Sequence, residues 1–386
     1  MKIESYKTEK LKVEKDLKQM TKKSDLISWI RVALFILIMG LLSYGYFKKI
    51  NIFYAFVAVL TIIFFVIVKL HSDIELKIKY KKSKIQVYQK YIKRLNGTWY
   101  DFKEKGTEYL DENMPYLKDL DIFGEGSLYQ YICSANTIYG KKSLVKHLKQ
   151  NDYNLDYIIK HQEAVKELSN MQDFANEIET LSYLTKENKK KNINKEIKKF
   201  IEVCEDETPN QVKLNKILMI VLPAILIAVL ALCLIGINRA FYFNVLKLVI
   251  IINLLLAFLN MQKSTSILLP IGDFYKNIKV YENIFKEIDK QDFESSYLKE
   301  LKEGLNKDGG SLKAIKELKK IGSYIDLRQN FVANIILNAI VLWDFYCIDM
   351  FDKWKKSYGK NIRTYLEIVG EIEALISLAS ITYVRD

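Results

Sequence analysis

Proline is scarce in this sequence. The 386-residue chain holds four, together with four cysteines and three histidines. Few prolines leave little to interrupt helices, and period-2 apolar alternation is nearly absent, so the expected fold class is all-α. Cys133, Cys204, Cys233 and Cys347 are scattered, with no CxxC pair. That spacing argues against a disulfide framework and for free thiols in a reducing compartment. His71, His147 and His161 form no HExxH or other close metal spacing, so no zinc motif is legible.

A phosphate loop, G-x-x-x-x-G-K-[ST], is missing as well. In such a loop the backbone amides and the lysine hold phosphates, and the hydroxyl holds magnesium. Around Gly140 and Lys141 the first glycine position is Ala135 and the hydroxyl position is Lys142. Around Gly304 and Gly309 the lysine position is Gly310. Both stretches are rejected as nucleotide sites. No nucleophile is paired with a base. The residues therefore give no catalytic, cofactor-binding or metal-ligating candidate, and the expectation is that this chain is not itself an enzyme.

Long apolar runs and positive charge are what the chain does have. Half of it is hydrophobic and its net charge is +13. Residues 26–47 hold one charge, Arg31, and residues 50–70 hold one, Lys69. Residues 217–237 hold none, and 241–261 hold one, Lys247. A bilayer core takes about 20 apolar residues of helix. Two transmembrane hairpins are therefore expected, over 26–70 and 213–262, with Pro223 tolerated as a kink. The first run starts late and a second follows at once, which does not suit a signal peptide. Inside the spans the polar residues are few (Asn244, Lys247 and Asn253 stand out), and that argues against a transport path.

Lysine placement sets the expected orientation. Eight lysines precede Asp25, and 70–95 is strongly basic. A multi-pass protein of the cell membrane is implied, with both termini and the polar blocks in the cytoplasm. The order is then a basic tail (1–25), the first hairpin, a basic helical linker (71–115), helices over 116–212, the second hairpin, and helices over 263–386. The linker alternates lysine with tyrosine, isoleucine and leucine, a pattern suited to anionic lipid headgroups. The run 186–199 reads as an exposed, charged helix or loop.

Within 119–148, Ser127 and Gln130 form an S-x-x-Q capping box that opens a helix with Leu128, Ile132 and Ala135 on one edge. Thr137 caps the next helix, Gly140 in its first turn allows close packing, and Leu144 and Leu148 share a face. Further on, Ile336, Ile340, Trp343, Cys347, Met350 and Trp354 form a seam of period about 3.5. Gly359 is expected to stop that helix. Tyr365, Val369, Ile372, Ile376, Ala379 and Tyr383 repeat the pattern, so an antiparallel hairpin is expected there.

Residues 137–148, "TIYGKKSLVKHL", resemble the T-x-x-G-R-x-x-L-x-x-W-L signature of the core domain of MutS-type DNA mismatch-repair ATPases, through Thr137, Gly140, Lys141, Leu144 and Leu148. Ile158, Gln162, Ala164, Val165 and Leu168 are similar to that family's I-x-x-R-Q-x-A-V-x-x-L helix, with His161 in place of the arginine. Residues 119–128 and 342–383 look like its membrane-anchored branch. The resemblance spans about residues 70–386. It implies a bundle of long core helices, and DNA (mismatch) binding coupled to an ATPase domain that uses ATP and magnesium. That domain is expected beyond Asp386 or in a separate subunit, with a homodimer as a further implied partner. The mismatch-reading Phe-x-Glu wedge has no counterpart, since "FKE" at 102–104 and 285–287 lacks its context. The alternative reading is a membrane scaffold that binds protein or anionic lipid, without DNA or nucleotide activity.

Overall fold

The computed structural model describes residues 2–48, 52–149, 154–185, 193–208, 213–236, 238–307 and 309–385. Among them the chain is helical throughout, with no strand. The helices are α1 (Lys2–Lys48), α2 (Ile52–Leu95), α3 (Tyr116–Asp119), α4 (Leu128–Ile132), α5 (Ile138–Lys149), α6 (Leu155–Ser169), α7 (Gln172–Tyr183), α8 (Ile193–Glu205), α9 (Lys213–Ile235), α10 (Arg239–Leu259), α11 (Met261–Asp289), α12 (Ser296–Asn306), α13 (Ser311–Leu327), α14 (Phe331–Val341), α15 (Trp343–Tyr358) and α16 (Ile362–Val384). Part of the 186–199 run, 186–192, lies outside the described residues. The chain forms two compact units: residues 1–134, 168–184 and 376–386, and residues 135–167 and 185–375.

In the first unit α1 and α2 lie antiparallel over their full length. Tyr6 stacks on Tyr91 at 5.1 Å. Lys10 donates to Gln89 at 2.5 Å, and Lys81 pairs with Asp16 at 2.9 Å. Farther along, Phe35 meets Phe64 at 6.4 Å and Tyr44 meets Phe53 at 5.3 Å. The helices do not break at the expected edges near residues 25 and 70. Helix propensity runs through both boundaries, with no glycine or proline to stop it. Arg31, the charge in the first apolar run, lies 3.1 Å from His71 Nδ1.

The basic segment after residue 70 differs from a free amphipathic linker. Its apolar residues Ile78, Val87, Tyr91 and Ile92 are buried. Lys90 pairs with Glu179 of α7 at 3.1 Å, and Tyr80 donates to Glu177 at 2.5 Å. Protein therefore covers these apolar residues, while Lys77, Lys79 and Lys82 stay exposed. The helix ends at Leu95, so the expected helical linker to residue 115 is not formed. Residues 96–127 instead make short turns organised by Gln130, whose amide donates to the Tyr100 and Phe102 carbonyls at 3.0 and 2.7 Å. Ser127 caps α4 through the Gln130 N–H at 3.2 Å, one half of the expected capping box, while the Gln130 side-chain oxygen accepts the Gly126 N–H at 2.8 Å instead of that of Ser127. Leu128 is exposed and α4 ends at Ile132, so Ala135 lies outside the helix and the expected apolar edge narrows to Ile132.

The second unit is built around α11, which buries Leu268, Ile271, Phe274, Tyr281, Ile284 and Phe285 among others. Each fully buried side chain of this size contributes about 1.5–3 kcal/mol. Phe274 stacks on Phe200 of α8 at 4.1 Å, and Trp354 of α15 donates to the Ala314 carbonyl of α13 at 2.8 Å. The expected hairpin at Gly359 is not formed. Gly359 is right-handed helical, with φ −55° and ψ −42°, and α15 runs through one 3-10 turn into α16. The glycine serves proximity instead of reversal: a Cβ there would lie 2.5 Å from the Cys204 carbonyl oxygen. The real break comes earlier. Leu342 adopts φ 51°, ψ 52°, and α14 meets α15 at an 83° bend. Ile336 and Ile340 thus leave the seam they were expected to share with Trp343 to Trp354.

Four helices, α1, α2, α9 and α10, are long and apolar enough to cross a membrane, and little of their apolar windows is buried. Ile36, Ile62, Phe65, Ile227 and Phe258 are each 65–70 % exposed. In the second unit α14, with 11 residues, is too short to cross alone and passes only together with the helix beyond the 83° bend. It packs beside α9 and α10, where Leu222, Leu226, Val249, Leu342 and Phe345 form one cluster. Asn253 of α10 is fully buried and donates to the Ala339 carbonyl at 2.8 Å. Phe331 and Val332 at its other end are exposed.

Candidate functional site: the α5–α6–α16 crossing

The residues singled out in the sequence gather at the start of α5 and along α6. Thr137 caps α5, and its hydroxyl oxygen accepts the Gly140 N–H at 3.0 Å. The same hydroxyl donates to Glu373 of α16. Glu373 Oε1 also accepts the N–H groups of Asn136 and Thr137 at 2.9 and 3.3 Å. A helix N-terminus gathers partial positive charge from its unpaired N–H groups. Here an internal carboxylate, 2 % exposed, neutralises it. The stretch that looks like a phosphate loop thus holds an anion belonging to the protein itself.

Gly140 sits where α5 crosses α16. A Cβ on it would fall 2.3 Å from Glu373 Oε2, and a Cβ on Gly370 would fall 2.4 Å from the Tyr139 carbonyl carbon. The backbones touch only because both positions are glycine. Lys141 is half-buried on α5, Leu144 is fully buried and Leu148 half-buried. On α6 Gln162 is exposed and Val165 half-buried. Leu168 is buried within the first unit, where its carbonyl accepts the Tyr383 hydroxyl.

Two turns farther along the same crossing, the fold assembles a polar cluster with no local sequence pattern. His147 Nε2 lies 2.8 Å from Glu371 Oε1, and His161 Nε2 lies 3.5 Å from the same oxygen. Their ligand atoms all fall within 4.8 Å of one another. Tyr297 of α12 donates to Glu371 Oε1 at 3.0 Å, and Ser143 donates to Oε2. Behind the imidazoles, Tyr157 OH is 3.4 Å from His147 Nδ1, and the Tyr157 carbonyl is 2.7 Å from His161 Nδ1. The His161 ring lies between those of Tyr157 and Tyr297, at 3.7 and 4.1 Å. Burial acts to raise the Glu371 pKa. The two imidazoles and the Ser143 hydroxyl outweigh burial and hold the carboxyl well below its ordinary range. Burial, with the Glu371 charge beside it, pushes the Tyr297 phenol up.

Compared with protein-family profiles, curated proteins and solved structures, the chain finds no match in any of the three.

Proposed function

We propose that this chain is a membrane-anchored helical scaffold that carries rigid helical bodies on two transmembrane hairpins. The observation that carries the reading is continuity. α2 passes from an exposed apolar half into a half buried against α7, and only Asn260 separates α10 from α11, the centre of the second unit's core. Anchor and body are the same helices. In this reading both termini and both bodies are cytoplasmic, on the strength of the lysines before Asp25 and after Leu70. The broken helix α14 sits at the bilayer beside the second hairpin, as irregular backbone does when protein covers it.

The finer part of the proposal is kinship with the MutS core. Thr137, Gly140 and Leu144 at the α5–α16 crossing support it, because each has a packing reason to recur at that spacing. On that reading the bodies bind DNA and couple it to an ATPase domain in a longer chain or another subunit. Duplex DNA titrated into the detergent-purified chain tests this part. Binding that weakens steeply with added salt supports phosphate contacts, and no binding at low salt removes them. Cysteine labelling tests the anchor. With an impermeant maleimide on intact cells, Arg239→Cys should label and Lys103→Cys should label only after permeabilisation. The reverse pattern inverts the topology, and carbonate extraction of the whole chain would sink the anchor itself.

A further inference from the structure

His161, His147 and Glu371 are too ordered around one point to be only a packed polar patch. The Tyr157 carbonyl can only accept, so at 2.7 Å the His161 Nδ1 must carry the proton. If no second proton is bound, Nε2 presents a bare lone pair. That atom is buried and has no hydrogen-bond partner. It faces Glu371 Oε1, another acceptor, at 3.5 Å. Two acceptors meeting in a buried site repel each other unless something positive lies between them.

A proton on Nε2 is one remedy. It would make an imidazolium–carboxylate bond, and such charge-assisted bonds close to about 2.7–2.9 Å. The His147 contact, 2.8 Å, has that length, but the His161 gap, 3.5 Å, is wider. It is close to the edge of a tetrahedron of ligands around zinc, where donor atoms about 2.0–2.1 Å from the metal stand about 3.3 Å apart. We propose that His147 Nε2, His161 Nε2 and a Glu371 oxygen bind one divalent, zinc-like cation. Two imidazoles and a carboxylate are a ligand set suited to zinc.

The surroundings fit this assignment. His161 is oriented by a backbone carbonyl and His147 by the Tyr157 hydroxyl, which can donate or accept. Metal-bound histidines are held through their second nitrogen in this way. The Tyr297 hydroxyl donates to Oε1 at 3.0 Å and would orient the carboxylate ligand. The side chains of His147, His161 and Glu371 are 8, 10 and 15 % exposed. Such closure suits a structural ion better than an open catalytic one. The ion would clip α5 and α6 to α16, joining residues 224 positions apart in the chain.

The test uses the full chain in detergent, stripped with chelator and refilled with zinc. One zinc per chain by elemental analysis and a higher melting temperature on refilling are expected. Cobalt in place of zinc should give the visible absorption of a tetrahedral site. His161→Gln and Glu371→Gln should take up no stoichiometric zinc. The stripped His161→Gln variant should melt no lower than the stripped wild type, because the facing acceptors are gone. Tyr157→Phe should weaken zinc binding by about 10- to 100-fold. Two results overturn the proposal. One is a wild type that refuses stoichiometric zinc, which assigns the site to a proton. The other is an equal uptake by His161→Gln, which places the ion elsewhere.

Discussion

Gly140 and Gly370 lie in backbone contact where α5 crosses α16: a Cβ on Gly370 would stand 2.7 Å from the Gly140 nitrogen. A methyl group at either position must push the helices apart. Gly370→Ala is expected to destabilise the second unit by about 1–3 kcal/mol, the usual range for overpacking. Gly40→Ala is the control, since a Cβ there meets nothing within 4 Å and alanine favours helix. A thermal melt in which Gly370→Ala matches or exceeds the wild type would refute the close crossing.

Thr137 holds the start of α5 through two bonds, one to the Gly140 N–H and one to Glu373. Thr137→Ser keeps both and should be nearly neutral. Thr137→Val keeps the shape, loses both bonds and leaves a buried carboxylate less satisfied. A loss of about 1–3 kcal/mol is expected in chemical denaturation, against a few tenths for serine. Equal stability of the two variants would remove the cap from the argument.

These caps and the apolar runs could be read from the sequence because each is local. A threonine three residues before a glycine, or 20 apolar residues in a row, needs no partner to be recognised. Gly359 was legible only as a glycine. Its reason is the Cys204 carbonyl on α8, and no pattern within its own helix reveals that contact. The break at Leu342 is hidden for a similar reason. The seam continues across it at the right spacing, while α14 packs against α9 and α10 and Asn338 Oδ1 accepts the Asp344 N–H at 3.0 Å across the break. His147, His161 and Glu371 come from three helices, so no motif spacing could have joined them.

Acid should weaken the second unit through Glu282. Burial acts to raise its pKa, but ion pairs with Lys286 at 2.6 Å and Lys319 at 2.7 Å outweigh it and hold the carboxyl below its ordinary value. A depressed folded pKa stabilises above the unfolded value, about 4.3 for glutamate, and that contribution fades as pH falls through the folded one. Glu282→Gln should therefore melt below the wild type at neutral pH. The gap between them should narrow as the solution is acidified below about pH 4. A gap that widens on acidification contradicts the sign.

Asn253 ties α10 to α14 through the Ala339 carbonyl. Asn253→Leu removes that bond and is expected to cost about 0.6 kcal/mol, the average for such bonds between membrane helices. Hydrogen exchange should rise over Phe331–Val341 and stay unchanged over α5. Unchanged protection of α14 would mean that apolar packing alone holds it.

One more consequence belongs to the α1–α2 pair. Each helix is about 65–70 Å long at 1.5 Å per residue, roughly twice the hydrocarbon thickness of a bilayer. No proline interrupts either one. On the proposed anchoring, the pair is a pole with one end in lipid and the other in water. Apolar spans re-tilt when bilayer thickness changes, and a pole cannot absorb the rotation at its waist. A 10° change of tilt about the middle of the apolar span would sweep the tip, where Tyr6 rests on Tyr91, through about 8 Å, so membrane thickness would become a distance read at the far end of the pole.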